Sequence, residues 1–230
     1  MLKGTTVVFD IDGTLIDTAP DLTNALNHVL TARGHRPVAP ALVRAAAGRG
    51  ARAMIEEALG LAHIEDDVDQ MLADFLVHYE ANIAAESRPF PGALEALDRL
   101  AASGARLAVC TNKRERLTRM LLHALDIEDY FAALAGRDTF PVSKPDPGHL
   151  LGVIAAASGD PSRALMVGDS AVDINTAQGA NVPSILVSFG YAPPPPEGPR
   201  ADAVIGHFDE LEGSAISLLK GLTTERGARS

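Results

Sequence analysis

Val7-Val8-Phe9-Asp10-Ile11-Asp12-Gly13-Thr14 sets an apolar run against two carboxylates two positions apart. Side chains alternate along an extended chain, so Asp10 and Asp12 leave the strand on one side, and Gly13 permits a sharp departure. Two like charges this close raise each other's pKa unless a cation joins them. The pair therefore implies a metal, a shared proton, or both. A calcium loop is excluded by spacing: it needs glycine at its sixth position and glutamate at its twelfth, whereas Gly13 is fourth from Asp10 and Asp21 is twelfth. Carboxylates that end an apolar strand belong instead at the carboxyl edge of a parallel sheet, where open α/β folds keep their ligands.

Outward from this stretch, Thr18 as cap, Pro20 in the first turn and Leu22, Ala25, Leu26, Val29 and Leu30 at helical spacing predict a helix that stops by Gly34. Further helices are expected over 41–47, 51–59 and 65–85, divided by Gly48-Arg49-Gly50 and Gly60. From Arg88 onward strand and helix patterns alternate, with strands expected at 105–110, 164–167, 184–188 and 203–205. Such alternation predicts βαβ units, a parallel sheet and an α/β fold class. The expected organisation is a core from 1–16 and 88–230, with 17–87 a small all-α helical cap domain inserted after the first strand. Pro193 to Pro196 reads as a stiff connection, and the polar tail from Thr223 as frayed.

Of the 230 residues, 47% are hydrophobic but only 4% aromatic, so the core must be built from Ala, Leu, Val and Ile. A net charge of -10 argues against a nucleic-acid partner, which needs a basic face, and requires any anion site to be locally basic. Cys110 is the one cysteine and ends an apolar strand, which suits a buried residue in a reducing cytoplasm. No apolar run is long enough to span a bilayer, so no membrane association is expected.

Three later segments repeat the strand-then-polar pattern. In Leu107 to Lys113, Thr111 and Asn112 offer a hydroxyl and backbone N–H groups suited to phosphate oxygens, or else an ordinary helix cap. In Ser143-Lys144-Pro145-Asp146-Pro147, prolines stiffen the turn that carries Lys144, which lowers the entropy lost on meeting an anion. In Leu165 to Asp173, Asp169 ends a strand and would share the sheet edge with Asp10, while Ser170 and Asp173 follow one turn apart.

The order Asp-x-Asp, Thr, Lys, Gly-Asp-x-x-x-Asp resembles that of the haloacid dehalogenase-like phosphohydrolase superfamily, across the whole chain and including the insertion point of the helical cap. Within it, residues 9–22, Gly48-x-Gly50 and Ser188-Phe189-Gly190-Tyr191 are similar to the bacterial phosphoglycolate phosphatases. One departure is Gln178-Gly179-Ala180, where relatives place the glycine one position later; this bears on helix termination more than on chemistry. The resemblance implies a Rossmann-like parallel sheet and Mg²⁺-dependent removal of phosphate from a small phosphorylated metabolite, 2-phosphoglycolate being favoured. It implies that Asp10 attacks phosphorus and that Asp12 protonates the leaving alkoxide and then activates water. A hard cation held by Asp10, Asp169 and the backbone carbonyl of Asp12 fits Mg²⁺, and the scattered histidines offer no rival transition-metal site. Lys144 and Thr111 would hold the transferring oxygens, and Asp173 would orient Lys144 or a metal-bound water. Asp12 sets phosphatases and phosphomutases apart from the dehalogenases, which lack it.

Specificity is expected from the cap. Gly48-Arg49-Gly50 is the candidate loop, its glycines allowing close approach and Arg49 able to pair a substrate carboxylate, with Arg52 second. The competing expectations are a sugar phosphomutase, a pyrophosphatase of the same superfamily, or a non-catalytic ligand-binding protein, as monomer or homodimer.

Overall fold

The computed structural model describes residues 2–193 and 197–227, with side chains through Lys220. Part of the predicted Pro193–Pro196 connection and the last three residues of the tail lie outside the described residues. In chain order the strands are β1 (Thr6–Phe9), β2 (Ile16–Asp17), β3 (Arg88–Pro89), β4 (Arg106–Cys110), β5 (Phe131–Ala135), β6 (Ala164–Gly168), β7 (Ser184–Val187) and β8 (Ala203–Ile205). The helices are α1 (Ala19–Ala32), α2 (Pro40–Ala47), α3 (Ala51–Ala62), α4 (Val68–Ala81), α5 (Ala93–Ala102), α6 (Glu115–Ala124), α7 (Pro147–Ala156), α8 (Ala171–Gly179) and α9 (Leu211–Gly227). None is long and apolar enough to cross a membrane.

Six strands form one parallel sheet in the order β5-β4-β1-β6-β7-β8. β1 lies between β4 and β6, with Val8 opposite Ala108 on one side and Met166 on the other. All four residues of β1 are buried, as a strand covered on both faces requires. The two-residue alternation divides the core. Val7, Phe9, Val109, Leu165 and Val187 pack with Leu97 and Leu100 of α5 and Leu121 of α6, whereas Val8, Ala108, Cys110 and Met166 pack with Leu150, Val153 and Ile154 of α7. Cys110 is fully buried, and burial pushes its thiol up to about 12, so it is a packing residue rather than a nucleophile.

The α1–α4 block has an apolar cluster of its own, built on Leu22, Leu26, Met54, Ile55, Met71, Phe75 and Tyr79, with Leu117 of α6 joining it. Two segments connect this block to the sheet, and they pair as the short antiparallel ladder β2–β3, Ile16 opposite Pro89 and Asp17 opposite Arg88. The sequence pattern indicates neither this ladder nor β5. The ladder strands are two residues each, too short for periodicity, and β5 is an alanine-rich edge strand (Phe-Ala-Ala-Leu-Ala) without β-branched residues. α9 runs to Gly227, into the stretch expected to fray. α8 ends at Gly179, and the positive φ beyond it (53°) falls on Asn181 rather than on a glycine.

Candidate active site

The loops that follow β1, β4, β5, β6 and β7 meet at the carboxyl edge of the sheet. Asp10 takes its place by continuing the β1 ladder, its N–H donating to the Val167 carbonyl (3.0 Å). The chain then turns through Gly13, whose φ of +81° favours glycine and where a Cβ would lie 2.5 Å from Asp169 Oδ2 and 2.8 Å from the Tyr191 ring. That contact brings the β1 loop against the β6 and β7 loops. Asp10, Asp12, Thr111, Lys144, Asp169, Ser170 and Asp173 are all buried there.

Lys144 Nζ lies 3.0 Å from Asp10 Oδ1 and donates to Asp173 Oδ1 at 2.6 Å. Asp173 Oδ2 accepts from the N–H (3.2 Å) and hydroxyl (2.7 Å) of Ser170, so this pair caps α8 and orients Lys144 at once. Burial opposes the Lys144 charge, yet the Asp10 and Asp173 carboxylates hold it above its ordinary range. His149 braces the lysine's loop: its Nδ1 accepts from the Lys144 N–H (3.2 Å) and its Nε2 donates to the Gly136 carbonyl (3.0 Å). Burial, and then the nearby Lys144, depress it to about 4, which keeps that neutral tautomer.

Asp10, Asp169 and Asp173 each place a carboxylate oxygen within 4.8 Å of the others. Burial, reinforced by neighbouring carboxylates, raises Asp10 to about 6 and Asp169 to about 7. Asp10 Oδ1 is buried and, although close to Lys144, has no hydrogen bond of good geometry. Under-neutralised, buried, all-oxygen donors suit a small hard cation. Asp169 is otherwise held by Thr14 Oγ1 (3.3 Å) and the Tyr191 N–H (2.7 Å). Asp12 faces elsewhere: Oδ1 accepts from the Thr18 hydroxyl (2.6 Å) and Oδ2 pairs with Lys113 Nζ (3.0 Å). Its side chain is thus taken, and only its backbone carbonyl remains for a cation. Thr18, expected to cap α1, makes no side-chain cap bond, because its hydroxyl is directed to Asp12.

Thr111 and Asn112 are not a helix cap, since α6 begins at Glu115 behind Arg114. Asn112 Nδ2 instead donates to the carbonyls of Lys144 and of Gly48 (both 3.1 Å), joining the core edge to the α2–α3 loop. Gly48 and Gly50 therefore sit beside the site. Arg49 does not point into it: half-exposed, it pairs with Glu57 of α3. Between the α1–α4 block and the sheet edge lies a cavity of about 420 Å³, whose lining includes Asp12, Asn112, Lys113, Arg52, Phe75 and Tyr79.

Lys113, Tyr79, His149 and Tyr191 are residues at this site to which the sequence pattern assigns no role, and Thr18 is one to which it assigns only a helix cap. Tyr191 stands in the recognisable Ser188-Phe189-Gly190-Tyr191 stretch; its hydroxyl donates to Asp17 Oδ1 (2.5 Å) and accepts from the Ala19 N–H (2.8 Å), so it links Asp169 to the β2–α1 junction.

A parallel sheet with an acidic cluster and a buried lysine at its carboxyl edge, beneath an inserted helical block, defines a hydrolase class, and the family model for haloacid dehalogenase-like hydrolases matches residues 7–187. The chain belongs to that family. It is 49% identical to a phosphoglycolate phosphatase of Mesorhizobium japonicum, over 89% of this chain and 92% of that one. A phosphoglycolate phosphatase of Caulobacter vibrioides is 45% identical, over 95% and 93%. Among solved structures, a predicted phosphoglycolate phosphatase from Haemophilus somnus superposes with a TM-score of 0.84 at 26% identity, covering 93% of this chain and 98% of that one.

Proposed function

We propose that the protein hydrolyses small phosphomonoesters through an aspartyl phosphate on Asp10, with 2-phosphoglycolate as its substrate and glycolate and phosphate as products. Phosphoric monoester hydrolysis is the chemistry of its family and of its relatives' names. The observation that carries the reading is the division of labour between two aspartates: Asp10 sits among Lys144, Asp169 and Asp173, and Asp12 faces the cavity.

An oxygen of the Asp10 carboxylate attacks phosphorus as the ester P–O bond breaks, and Asp12, protonated for this step and so released from its ion pair with Lys113, gives that proton to the departing alkoxide. Asp12, now a carboxylate, takes a proton from the water that attacks the phosphoenzyme. The aspartyl P–O bond then breaks, releasing phosphate and restoring Asp10. Thr111 and Lys144 hold the transferring oxygens, Asn112 positions their loops, and Ser170 and Asp173 fix Lys144. Asp10, Asp169 and the Asp12 carbonyl would hold Mg²⁺, which would offset the repulsion between an anionic nucleophile and an anionic phosphate, about 4 kcal/mol for unit charges 4 Å apart at an effective dielectric near 20. The unit 17–87 acts as a cap that excludes bulk water from the phosphoenzyme.

A panel of phosphorylated metabolites assayed with Mg²⁺ tests this reading. 2-Phosphoglycolate should be turned over faster than hexose phosphates or pyrophosphate, and Asp10→Asn should lower kcat by ~10³-fold or more. Full phosphate release by that variant would end the covalent mechanism. Isomerised sugar phosphate without net phosphate release would mark a mutase.

A further inference from the structure

Lys113 is a cation that the proposed chemistry does not use. Its ammonium is buried, 3.0 Å from Asp12 Oδ2 and 3.0 Å from Tyr79 Oη, and it also lies over the Tyr79 ring at 4.7 Å. Burial opposes its charge, yet Asp12 and Tyr79 hold it above the ordinary lysine range. The other cations lining the cavity are placed differently. Arg114 and Arg137 are exposed, and Arg52 is engaged by Asp69 and Glu56. The backbone fixes Lys113 as well, since its carbonyl accepts from the Arg137 N–H (3.0 Å) and its N–H donates to Thr111 Oγ1 (3.3 Å).

An ammonium has three donors, and the two partners here leave one for the cavity. Part of the neighbouring wall is apolar, with Leu22, Met54, Leu72 and Phe75, so a second anion beside the buried Lys113 would meet a charge that water screens less than at an exposed site. Position identifies which part of a substrate arrives there. The phosphoryl group belongs to Asp10 and Lys144, and the ester oxygen to Asp12, so the substituent on the ester carbon comes next to Lys113. In 2-phosphoglycolate that substituent is a carboxylate, one methylene from the ester oxygen. We infer that Lys113 reads this carboxylate, and that Tyr79, reaching over from α4, positions the ammonium for it. The inference rests on the phosphoglycolate reading of the site, and it gives specificity to the core motif Thr111-Asn112-Lys113 and to α4 rather than to Arg49. An analogue without the carboxylate leaves the third N–H of Lys113 unpaired, and a site built this way discriminates against it.

The test compares kcat/KM for 2-phosphoglycolate with that for ethyl phosphate, which replaces the carboxylate by a methyl group. Lys113→Met should lower the ratio of the two by about 10- to 100-fold, mostly through KM, and Lys113→Arg should recover part of it. Equal losses on both substrates would show a structural role and overturn the inference, as would a wild-type enzyme without preference for the carboxylated substrate. If Lys113→Met fails to fold, Tyr79→Phe decides, because it keeps the ammonium but removes its anchor. A ratio lowered by about 3- to 10-fold supports the inference, and an unchanged ratio overturns it. The two readings fail apart: hexose phosphates turned over faster than 2-phosphoglycolate overturn the choice of substrate, whereas a ratio unmoved by Lys113→Met overturns the role of Lys113.

Discussion

Asp10 and Asp169 carry carboxyl groups raised to about 6 and about 7, and the direction of that shift has a consequence for stability. A carboxyl whose pKa is higher folded than unfolded binds its proton more tightly in the native state, so its contribution to stability is present at low pH and is lost as pH rises through the folded value. Near pH 8 both groups are charged, buried and repelled by Asp173. Added Mg²⁺ should therefore raise Tm more at about pH 8 than at about pH 5, where protons compete for the same oxygens; differential scanning fluorimetry with and without the metal measures this. Equal shifts at both pH values would mean that the cation binds elsewhere. Asp10 and Asp169 are legible in sequence because each follows a strand, and strand ends are visible as apolar runs broken by a polar side chain, whereas Asp173 stands one turn into α8. Lys113 is the counter-example. It stands in plain view beside Asn112, but what sets it apart is burial against Asp12 of the β1 loop and Tyr79 of α4, both brought to it from far earlier in the chain.

The segments that join the α1–α4 block to the sheet are held by a buried acid. Asp21, in the first turn of α1, accepts from the N–H groups of Glu86 (3.0 Å) and Ser87 (2.8 Å) and from the Ser87 hydroxyl (2.6 Å), which holds the β3 approach against the start of α1. Asp21→Ala leaves the buried Ser87 donors unanswered and should cost about 1–3 kcal/mol, read from urea unfolding monitored by circular dichroism. Asp21 is also the residue at the twelfth position of the rejected calcium loop, and its service to backbone N–H groups shows how a carboxylate in a suggestive place can have a structural duty. At this scale the strongly apolar strands β1, β4, β6 and β7 follow from their composition. β5 escapes because an alanine-rich edge strand looks like helix or loop until its parallel neighbour β4 supplies the pairing. The α1–α4 helices are legible from their 3.6-residue period, although α4 starts and ends three to four residues inside its predicted span.

Across the molecule, the links between the α1–α4 cluster and the sheet core include the β2–β3 ladder, the Asn112–Gly48 bond, Tyr191, the Thr18–Asp12 bond, the Lys113–Tyr79 and Arg116–Glu80 pairs and the packing of Leu117. Cap closure over a bound anion should therefore be visible as slower amide hydrogen exchange at Asp17 and Arg88 when Mg²⁺ and inorganic phosphate are added together. Protection confined to the Asp10–Asp12 loop would count against closure. These links bear on how such a molecule could be recombined. Leu117 sits on α6, within the sheet's part of the chain, yet its side chain completes the cluster of the helical block. A chimera cut only at Asp17 and Arg88 would separate Leu117 from Phe75 and Tyr79, leaving a foreign cap facing a surface tailored to another. The packing unit that a recombination experiment would have to keep together is therefore discontinuous in sequence: the helical insert with the turn of α6 that carries Leu117, and, on the proposed role of Lys113, the Thr111-Asn112-Lys113 run that precedes it.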